Sequence, residues 1–564
     1  MLTRLAELCQ FGAEAVATYT RNGLLGPVPP AELARMVEAY RHFHVTLATG
    51  VAVAAARWPD RTAVIDEDGS LTFAELDERA ARLASALYHQ AGVGPGRTVA
   101  VMWPNHRGFV EAVAAVSRLG ADLLLVNTGL AGPQLRDVLR REGAHTLIAA
   151  PELPPVNFPT VRPDELTGTA TGLSAAGTGS SAAGTGPSAG GTGPFTAAAG
   201  PSAAGTGLAG AEAEPPVPSR AGRLVLLTSG TTGAPKGATR RLSAGALAEP
   251  FTSMLATVPL RSGEPMLIAP PLFHGLGLLW YGVALVLGCP VVLMRRFDAG
   301  AVLRALAEHR AGALVAVPVM LRRLLAAGPR PLPHLRAVVS GGSALPPDLA
   351  TAFMDGYGDV LHNLYGSTEA GWVTLATPAD LRAAPDTIGR PTRGATVVIA
   401  GEDGRERPAG EVGRVLVGGG LTFGGYSGGR EQPQENPGGL LATGDLGHRD
   451  PGGLLFIDGR EDDMIVSGGE NVFPQEVENL LARHPGVADV AVLGMPDEEY
   501  GQRLAAYVVP EPGVTLSPDE IRQAVKTELA GFKAPRDVEF IESVPRNQAG
   551  KVDRARLTEP RRKT

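Results

Sequence analysis

Short apolar runs alternate with longer amphipathic stretches in the N-terminal part of the chain. Residues 98–102 and 123–126 are apolar runs that predict buried strands. Residues 73–87 and 108–119 repeat apolar side chains at helical spacing, which predicts helices with one face on a core. Alternation of strands and helices is typical of parallel sheets covered by helices, so the pattern predicts an α/β fold.

The character of the pattern changes twice towards the C-terminus. Residues 396–459 contain short β segments separated by glycine-rich turns, which predicts a β-rich subdomain. About a hundred residues of mixed helical and strand character follow. We therefore expect a large domain over residues 46–459 with parallel-rich sheets, and a small, mobile α+β C-terminal domain over residues 460–564.

The first 45 residues mix apolar and charged positions at helical spacing and are interrupted at residues 26–30, Gly-Pro-Val-Pro-Pro. This pattern predicts a helical extension of two helices before the main fold. Amphipathic helices usually pack on a core, so packing against the body is the simpler interpretation. Contact with a second copy or with a membrane surface is the alternative.

Residues 165–220 consist almost entirely of Ala, Gly, Thr, Ser and Pro, and the sequence Ala-Ala-Gly-Thr-Gly recurs at Ala175, Ala182 and Ala203. A segment with so little apolar surface cannot offset its conformational entropy, so we expect a disordered insert. Its Gly-x-Gly pairs lack the preceding strand and following helix of a dinucleotide-binding motif.

Composition excludes several classes of protein. The formal net charge is −7, from 58 acidic and 51 basic residues, and no basic stretch indicates a nucleic acid partner. The two cysteines, Cys9 and Cys289, predict neither disulfides nor a thiolate metal site and fit a reducing cytosol.

One apolar segment has the length of a membrane span. Residues 275–294 carry no charge, but Gly288-Cys289-Pro290 should end a helix near Leu287, and residues 291–294 then predict a short buried strand. We therefore expect no transmembrane segment. The N-terminus also lacks the pattern of a signal peptide. The predicted location is the cytoplasm, with peripheral attachment to a membrane as the open alternative.

The most specific chemical signal lies in residues 224–237, where an apolar strand enters a loop of hydroxyls, glycines and one lysine. Glycines allow backbone N–H groups to approach phosphate oxygens, hydroxyls donate further hydrogen bonds, and the ammonium group supplies charge. The spacing is not that of the Walker loop. The predicted phosphate-binding residues are Thr228, Ser229, Gly230, Thr231, Thr232 and Lys236.

This segment resembles the phosphate-binding signature of the AMP-forming acyl-CoA synthetases, members of the adenylate-forming ligase superfamily. Within that superfamily the chain looks most similar to bacterial fatty-acid–CoA ligases. Five later motifs occur in the order of the family: residues 365–369 (YGSTE), 443–445 (TGD), 459–463 (GREDD), 467–471 (SGGEN) and 545–551 (PRNQAGK).

The resemblance implies a role for each matching residue on the nucleotide side. Tyr365 would pack on adenine, Thr368 would contact phosphate, and Glu369 would bind Mg²⁺. Asp445 would accept hydrogen bonds from the ribose hydroxyls with help from Arg460. The remaining residues implied at the nucleotide pocket are Gly342, Ser343, Ala344 and Asn363.

The resemblance also implies residues for the acyl and thiol side of the reaction. His274, beside Phe273, would line the passage between the acyl carboxylate and the thiol, and Lys551 would orient the carboxylate at the α-phosphate. Asp462 would be the hinge of the C-terminal domain, which presents Gly468 and Gly469 to the thiol substrate.

The implied activity is the ATP-dependent and Mg²⁺-dependent conversion of a carboxylic acid to acyl-AMP, followed by transfer of the acyl group to coenzyme A. A medium-chain or long-chain fatty acid is the first choice of substrate. An aryl or secondary-metabolite acid, and transfer to the phosphopantetheine of a separate carrier protein, are the alternatives. A homodimer is a further open expectation.

Overall fold

The computed structural model describes residues 2–130, 132–163, 214–228, 236–240, 243–427, 435–436, 439–461, 463–467, 470–497, 501–529, 531–547 and 550–558. Most of the insert expected to be disordered, residues 165–220, lies outside these ranges.

Three helices precede the first sheet. They are α1 (Leu2–Arg21), α2 (Pro30–Phe43) and α3 (Leu47–Arg57). Pro30 is the first residue of α2, where a missing N–H group leaves no helical hydrogen bond unmade. The first two helices are those that the sequence pattern predicts.

A six-stranded sheet contains the strand of the phosphate-binding segment. Its order is β6-β5-β3-β4-β7-β8, and all pairs are parallel except β7 with β8. The strands are β3 (Thr98–Met102), β4 (Asp122–Leu125), β5 (Ala144–Ala149), β6 (Thr160–Val161), β7 (Leu224–Thr228) and β8 (Lys236–Arg240). Helices α5 (Arg107–Arg118) and α6 (Gly132–Arg141) pack on this sheet, and α4 (Phe73–Ala91) packs on α5.

Local sequence fixes both ends of α4. Thr72 and Glu75 form a capping box: Glu75 N donates to Thr72 Oγ1 at 3.2 Å and Thr72 N donates to Glu75 Oε2 at 2.7 Å. Gly92 ends the helix in the left-handed region, with a φ of 61°.

A larger sheet of fourteen strands spans residues 62–460, in the order β16-β17-β19-β20-β15-β14-β13-β12-β11-β9-β10-β1-β2, with β18 paired to β19. The half of the sheet from β2 to β13 contains β1 (Thr62–Asp66), β2 (Gly69–Thr72), β9 (Met266–Ile268), β10 (Val291–Val292), β11 (Ala313–Ala316), β12 (Ala337–Gly341) and β13 (Leu361–Ser367). The β-rich end is formed by β14 (Gly371–Ala376), β15 (Thr387–Pro391), β16 (Ala395–Ala400), β17 (Gly413–Gly419), β18 (Glu435–Asn436), β19 (Leu440–Arg449) and β20 (Leu455–Arg460).

The helices around this sheet are α7 (Ala244–Thr257), α8 (Gly275–Leu287), α9 (Ala299–Glu308), α10 (Pro318–Ala326), α11 (Pro347–Tyr357) and α12 (Pro378–Ala383). Pairs β1 with β10, β9 with β10, β9 with β11, β11 with β12 and β12 with β13 are parallel. The sequence prediction of an α/β fold with parallel-rich sheets is confirmed.

The C-terminal residues form a third, smaller sheet with the order β22-β21-β24-β23 and β25 parallel to β24. Its elements are β21 (Ile465–Ser467), β22 (Glu470–Val472), α13 (Pro474–Ala482), β23 (Val487–Asp497), β24 (Gly501–Pro510), α14 (Pro518–Glu528), a 3-10 turn (Gly531–Lys533), β25 (Asp537–Phe540) and α15 (Arg554–Thr558). A separate apolar core that includes Val477, Val492 and Val508 supports this α+β unit.

The apolar segment that resembles a membrane span is a core element. Helix α8 has 13 residues and ends at Leu287; Gly288, which has a φ of 58°, caps it, and the strand β10 follows. Trp280 and Tyr281 of this helix are fully buried in the largest apolar cluster of the described residues. Nowhere in the described part of the chain is there a helix with both the length and the apolar character needed to cross a membrane.

Candidate active site

Two adjacent parallel strands, β12 and β13, bring two of the predicted motifs to one edge of the large sheet. Ser340 of β12 is in register with Asn363 of β13. Residues Gly342 to Ala344 follow β12, and residues 365–369 lie at the end of β13. Because neighbouring parallel strands end at the same edge of a sheet, both motifs open into one crevice.

A cavity of 2590 Å³ occupies this crevice and extends to the C-terminal unit. The predicted site residues that line it are Lys236, His274, Gly342, Ser343, Ala344, Asn363, Tyr365, Thr368, Glu369, Asp445, Arg460 and Lys551. Ser229, Gly230, Thr231, Thr232, Asp462, Gly468 and Gly469 lie outside the described residues. Thr228 is described by its backbone, which ends β7 opposite Lys236.

Tyr365, Asp445 and Arg460 form a hydrogen-bonded group across three strands. Tyr365 Oη donates to Asp445 Oδ2 at 2.5 Å, and Arg460 Nη1 donates to Asp445 Oδ1 at 3.0 Å. Asp445 and Arg460 are register partners on β19 and β20, so antiparallel pairing places their side chains together. Asp445 N also donates to Thr443 Oγ1 at 3.0 Å, which orients the turn.

The carboxylate of Asp445 is largely removed from water, whereas the Arg460 side chain is exposed. Burial raises the pKa of Asp445, and the bonds from Tyr365 and Arg460 act in the opposite direction because they favour the carboxylate. Burial and the nearby Asp445 charge raise the pKa of Tyr365 well above its ordinary value. Tyr365 therefore remains a hydrogen-bond donor at neutral pH.

Glu369 contacts Tyr426, an aromatic residue that the sequence analysis did not identify. Tyr426 Oη donates to Glu369 Oε1 at 3.1 Å, and Lys236 Nζ lies 5.5 Å from the centre of the Tyr426 ring. This geometry places the ring of Tyr426 between the predicted phosphate-binding lysine and the predicted metal ligand. A cation near the face of an aromatic ring is stabilised by the electrons of the ring.

Arg240 is the second residue that sequence reasoning missed. Its Nε donates to the backbone oxygen of Thr368 at 3.2 Å, and a further guanidinium nitrogen donates to the oxygen of Leu421. Burial lowers the pKa of Arg240 to about 10, and the charge of Glu369 opposes the shift. The side chain thus fixes the backbone of the turn that carries Thr368 and Glu369.

The donor set around Glu369 fits a magnesium ion of the kind that accompanies a nucleotide. Mg²⁺ is usually bound by one or two carboxylates together with substrate phosphates and water. Glu369 supplies one partly accessible carboxylate at the cavity, and no cluster of three metal-ligating side chains in the described ranges includes it. Such a site is complete only when a phosphate ligand is present.

His274 precedes α8 and faces the same cavity. Its Nε2 is buried and has no hydrogen-bond partner among the described residues. Burial, together with the positive charge of Lys551, lowers its pKa to about 4. His274 is therefore neutral at neutral pH and can accept or donate a hydrogen bond without contributing a charge.

The loop that carries Lys551 packs directly against the large domain. A β-carbon built on Gly550 would lie 3.1 Å from Cγ1 of Val319, and Arg322 Nη1 donates to the backbone oxygen of Ala488 at 2.8 Å. Lys551 is close enough to Asp445 to lower its pKa, as it does for His274. The C-terminal unit thus brings Lys551 to the predicted adenylate site.

Two family models match the chain. A model described as AMP-binding enzyme matches residues 51–427, and one described as AMP-binding enzyme C-terminal domain matches residues 476–551. The chain belongs to the AMP-binding enzyme family.

Characterised relatives of this AMP-binding enzyme act on different acids. A feruloyl-CoA synthase of an Amycolatopsis species is 35% identical over 504 residues, which cover 88% of this chain and 94% of that protein. The long-chain-fatty-acid–CoA ligase FadD13 of Mycobacterium tuberculosis is 29% identical over 500 residues, with 87% and 93% coverage.

A solved structure shows the same fold with nucleotide and metal bound. O-succinylbenzoate coenzyme A synthetase of Bacillus subtilis, in complex with ATP and magnesium ion, matches with a TM-score of 0.74 and 28% identity. The match covers 90% of this chain and 99% of that chain. The predictions of an adenylate-forming fold, an AMP-forming acid–thiol ligase, and ATP, Mg²⁺ and coenzyme A as its nucleotide, metal and co-substrate are confirmed.

Proposed function

We propose that this enzyme activates a medium-chain or long-chain fatty acid with Mg-ATP and transfers the acyl group to coenzyme A. The supporting observation is that Lys236, Glu369, Asp445 and Lys551 line one cavity whose other walls are largely apolar. A polyanion fits between the charged residues, and an uncharged hydrocarbon fits beyond them.

In the first half-reaction the carboxylate attacks the α-phosphorus of ATP. A bond forms between the carboxylate oxygen and phosphorus, and the bond from phosphorus to the bridging oxygen breaks, so that pyrophosphate leaves. Two ammonium groups, of Lys236 and Lys551, stabilise the negative charge and align the reactants. When bound at Glu369, Mg²⁺ supplies further charge neutralisation at the phosphates.

In this proposal the nucleotide is held by residues of the large domain together with Arg460, the first residue of the C-terminal domain. In this proposal Tyr365 and the segment Gly342–Ala344 enclose adenine, while Asp445 and Arg460 hold the ribose. The 2.5 Å bond between Tyr365 and Asp445 fixes two of these groups before ATP arrives. Such preorganisation lowers the entropic cost of binding.

In the second half-reaction the thiol attacks the acyl carbonyl. A carbon–sulfur bond forms, the bond from carbon to the phosphate oxygen breaks, and AMP leaves while the thiol proton passes to solvent. We propose that residues 46–459 form the adenylate-forming domain and that residues 460–564 rotate about Asp462 between the two steps. Neutral His274 would line the passage along which the thiol approaches.

An aryl acid is the second candidate substrate, and the 35% identity to a feruloyl-CoA synthase favours it. The deciding experiment is carboxylate-dependent pyrophosphate exchange with a panel of saturated fatty acids and aryl acids. Thioester products are then identified by mass spectrometry with coenzyme A and a holo-carrier protein offered side by side. Exchange with fatty acids and formation of acyl-CoA are expected; exchange confined to aryl acids would contradict the fatty acid assignment.

A further inference from the structure

The N-terminal extension is attached to the large domain by specific hydrogen bonds. Tyr19 Oη lies 2.7 Å from Thr252 Oγ1 of α7, and Asn22 Nδ2 donates to the backbone oxygen of Leu260 at 2.9 Å. Asn22 O accepts a bond from Ser262 N at 2.8 Å. These helices precede the residues that the family model matches.

The cavity of the active site continues from His274 along one face of α8. The residues of α8 that line it include Leu276, Leu279, Gly282, Val283 and Val286, which recur every three or four positions. From Leu276 to Val286 the helix rises about 15 Å. Leu276 lies beside Gly342 at the catalytic end, and Val286 is 48% exposed at the other end.

The face of α8 that lines the cavity has free space beside it near the middle of the helix. A β-carbon built on Gly282 would have no atom within 4 Å, although Gly282 lies in the middle of a helix. By contrast, a β-carbon on Gly50 of α3 would lie 2.9 Å from Cδ1 of Leu285, so α3 and α8 pack closely at these two residues, which also line the cavity. Glycine lowers helix stability. Its presence here leaves free volume where another residue would project into the cavity.

The outer part of the same cavity is walled by the N-terminal extension. Its lining residues there include Leu24, Leu25, Met36 and Tyr40. Leu25 and Tyr40 are 49% and 50% exposed, so they stand where the cavity reaches solvent. These residues therefore line the same cavity as the catalytic residues. The part of this cavity that is lined by α8 and by the N-terminal extension is called the passage.

We infer that this passage holds the alkyl chain of the substrate and that the N-terminal extension, residues 2–45, forms the outer wall that receives the distal methylene groups. The inference rests on the proposed function and specifies its substrate class: an acid with a long, unbranched apolar tail. An aryl acid would occupy only the inner part, near Leu276. Each buried methylene should increase affinity about fourfold.

A chain-length series tests the inner half of the passage. Pyrophosphate exchange is measured with hexanoate, dodecanoate and hexadecanoate for the wild type and for Gly282→Phe. The phenyl ring should leave kcat/KM for hexanoate within about twofold and lower that for the two longer acids by about tenfold or more. The variant should fold, because the position is open and phenylalanine is a better helix residue than glycine; its Tm checks this.

A matched pair of surface variants tests the outer wall. Tyr40→Glu places a charge at the cavity, whereas Val37→Glu places one on the same helix at a position that is equally exposed, 49%, and lies outside the lining. Tyr40→Glu should lower kcat/KM for hexadecanoate by about tenfold and leave hexanoate unchanged. Val37→Glu should change neither value.

The outcomes separate this inference from the function on which it rests. If fatty acids are adenylated but kcat/KM is independent of chain length, or if Tyr40→Glu and Val37→Glu behave alike, the N-terminal wall is wrong and the proposed function stands. If the wild type exchanges pyrophosphate with aryl acids alone, the fatty acid assignment and the passage both fail. If no carboxylic acid supports exchange, the proposed function itself is wrong.

Discussion

The phenolic hydroxyl of Tyr365 donates a 2.5 Å hydrogen bond to the carboxylate of Asp445, although the two residues are 80 positions apart in the sequence. Arg460 binds the other oxygen of the same carboxylate. The residue proposed to pack on adenine therefore also holds the residue proposed to bind ribose. The two contacts to ATP should depend on one another.

Tyr365→Phe keeps the aromatic ring but removes the donor to a mostly buried carboxylate. We expect KM for ATP to rise about tenfold, and the free energy of unfolding to fall by about 1–3 kcal/mol because a buried acceptor loses its partner. Pyrophosphate exchange and urea unfolding measure the two effects. Tyr357→Phe is the matched control, since its hydroxyl donates to Leu324 O away from the cavity. Equal KM values in the two variants would disprove the coupling.

Tyr426→Phe separates the two contacts of this ring. The ring beside Lys236 remains, whereas the 3.1 Å bond to Glu369 is lost. The Mg²⁺ concentration that gives half-maximal activity should rise about threefold to tenfold, because Glu369 is less well oriented, while KM for ATP at saturating Mg²⁺ stays near that of the wild type. Tyr426→Ala, which also removes the ring beside Lys236, should raise both the half-maximal Mg²⁺ concentration and KM for ATP. A magnesium requirement unchanged in Tyr426→Phe would show that the hydroxyl does not position Glu369.

Arg240 and Tyr426 show which contacts of the site can be predicted from the sequence and which cannot. Side chains alternate along a strand, so Lys236 and Arg240 of β8 share a face, and this signal was present in the sequence. Tyr426 reaches Glu369 from 57 residues away, through a bridge between Ala238 and Tyr426. No local pattern encodes such a contact. The resemblance supplied the motif residues but not these supporting ones.

Lys551→Ala should affect the two half-reactions unequally. Lys551 is proposed to act at the α-phosphate, so carboxylate-dependent pyrophosphate exchange should fall by about a hundredfold or more. Thiolysis of supplied acyl-AMP by coenzyme A should change by less than about threefold, since the lysine has no part in that step. Comparable losses in both assays would refute the assignment.

Asp462→Pro tests the proposed rotation of residues 460–564. Proline restricts the φ angle and should hinder a hinge movement. Adenylate formation, measured by pyrophosphate exchange, should be retained, whereas acyl-CoA formation should fall by about tenfold or more. The neighbouring Glu461→Pro serves as a control for a general effect of proline. Equal impairment of both half-reactions in Asp462→Pro would contradict a hinge at this residue.

Glu478 of α13 should make stability depend on pH. Burial raises its pKa to about 7, although Arg554 and Arg546 favour the charged form and Val492 N donates to its Oε1 at 2.8 Å. Because the folded-state pKa exceeds the ordinary value, its stabilising contribution is complete below pH 4.5 and is lost as the pH rises through 7.

Glu478→Gln should therefore raise the free energy of unfolding at pH 8 by no more than about 3 kcal/mol, and should have little effect at pH 4.5. Water in the cavity that Glu478 lines reduces the gain below this limit. Glu476→Gln on the same helix loses the 2.6 Å ion pair with Lys533 and should gain nothing at pH 8. Chemical denaturation of the wild type and the variants at pH 4.5 and pH 8 measures these free energies of unfolding. If Glu478→Gln differs from the wild type by the same free energy at both pH values, titration of Glu478 is excluded.

The elements that sequence predicted well are those whose apolar pattern is continuous and whose ends carry glycine or proline. Helix α8 ends at Leu287 as predicted, because Gly288 adopts a positive φ and Pro290 follows. The strand after it is shorter than predicted and covers Val291–Val292 rather than residues 291–294, since its pairing with β1 and β9 involves those two residues. The extent of pairing depends on distant strands, which local pattern does not specify.

Gly550 determines how closely the loop that carries Lys551 can approach the large domain. Its backbone has a φ of 79°, and a β-carbon built on it would lie 3.1 Å from Cγ1 of Val319 and 3.2 Å from Cγ2 of Val317, so a larger residue would be both strained and tightly packed. Because the main chain, rather than a long flexible side chain, makes this contact, it limits the depth to which the ammonium group of Lys551 can enter the cavity. In the proposed rotation of residues 460–564, the loop would therefore return to the same position in each catalytic cycle.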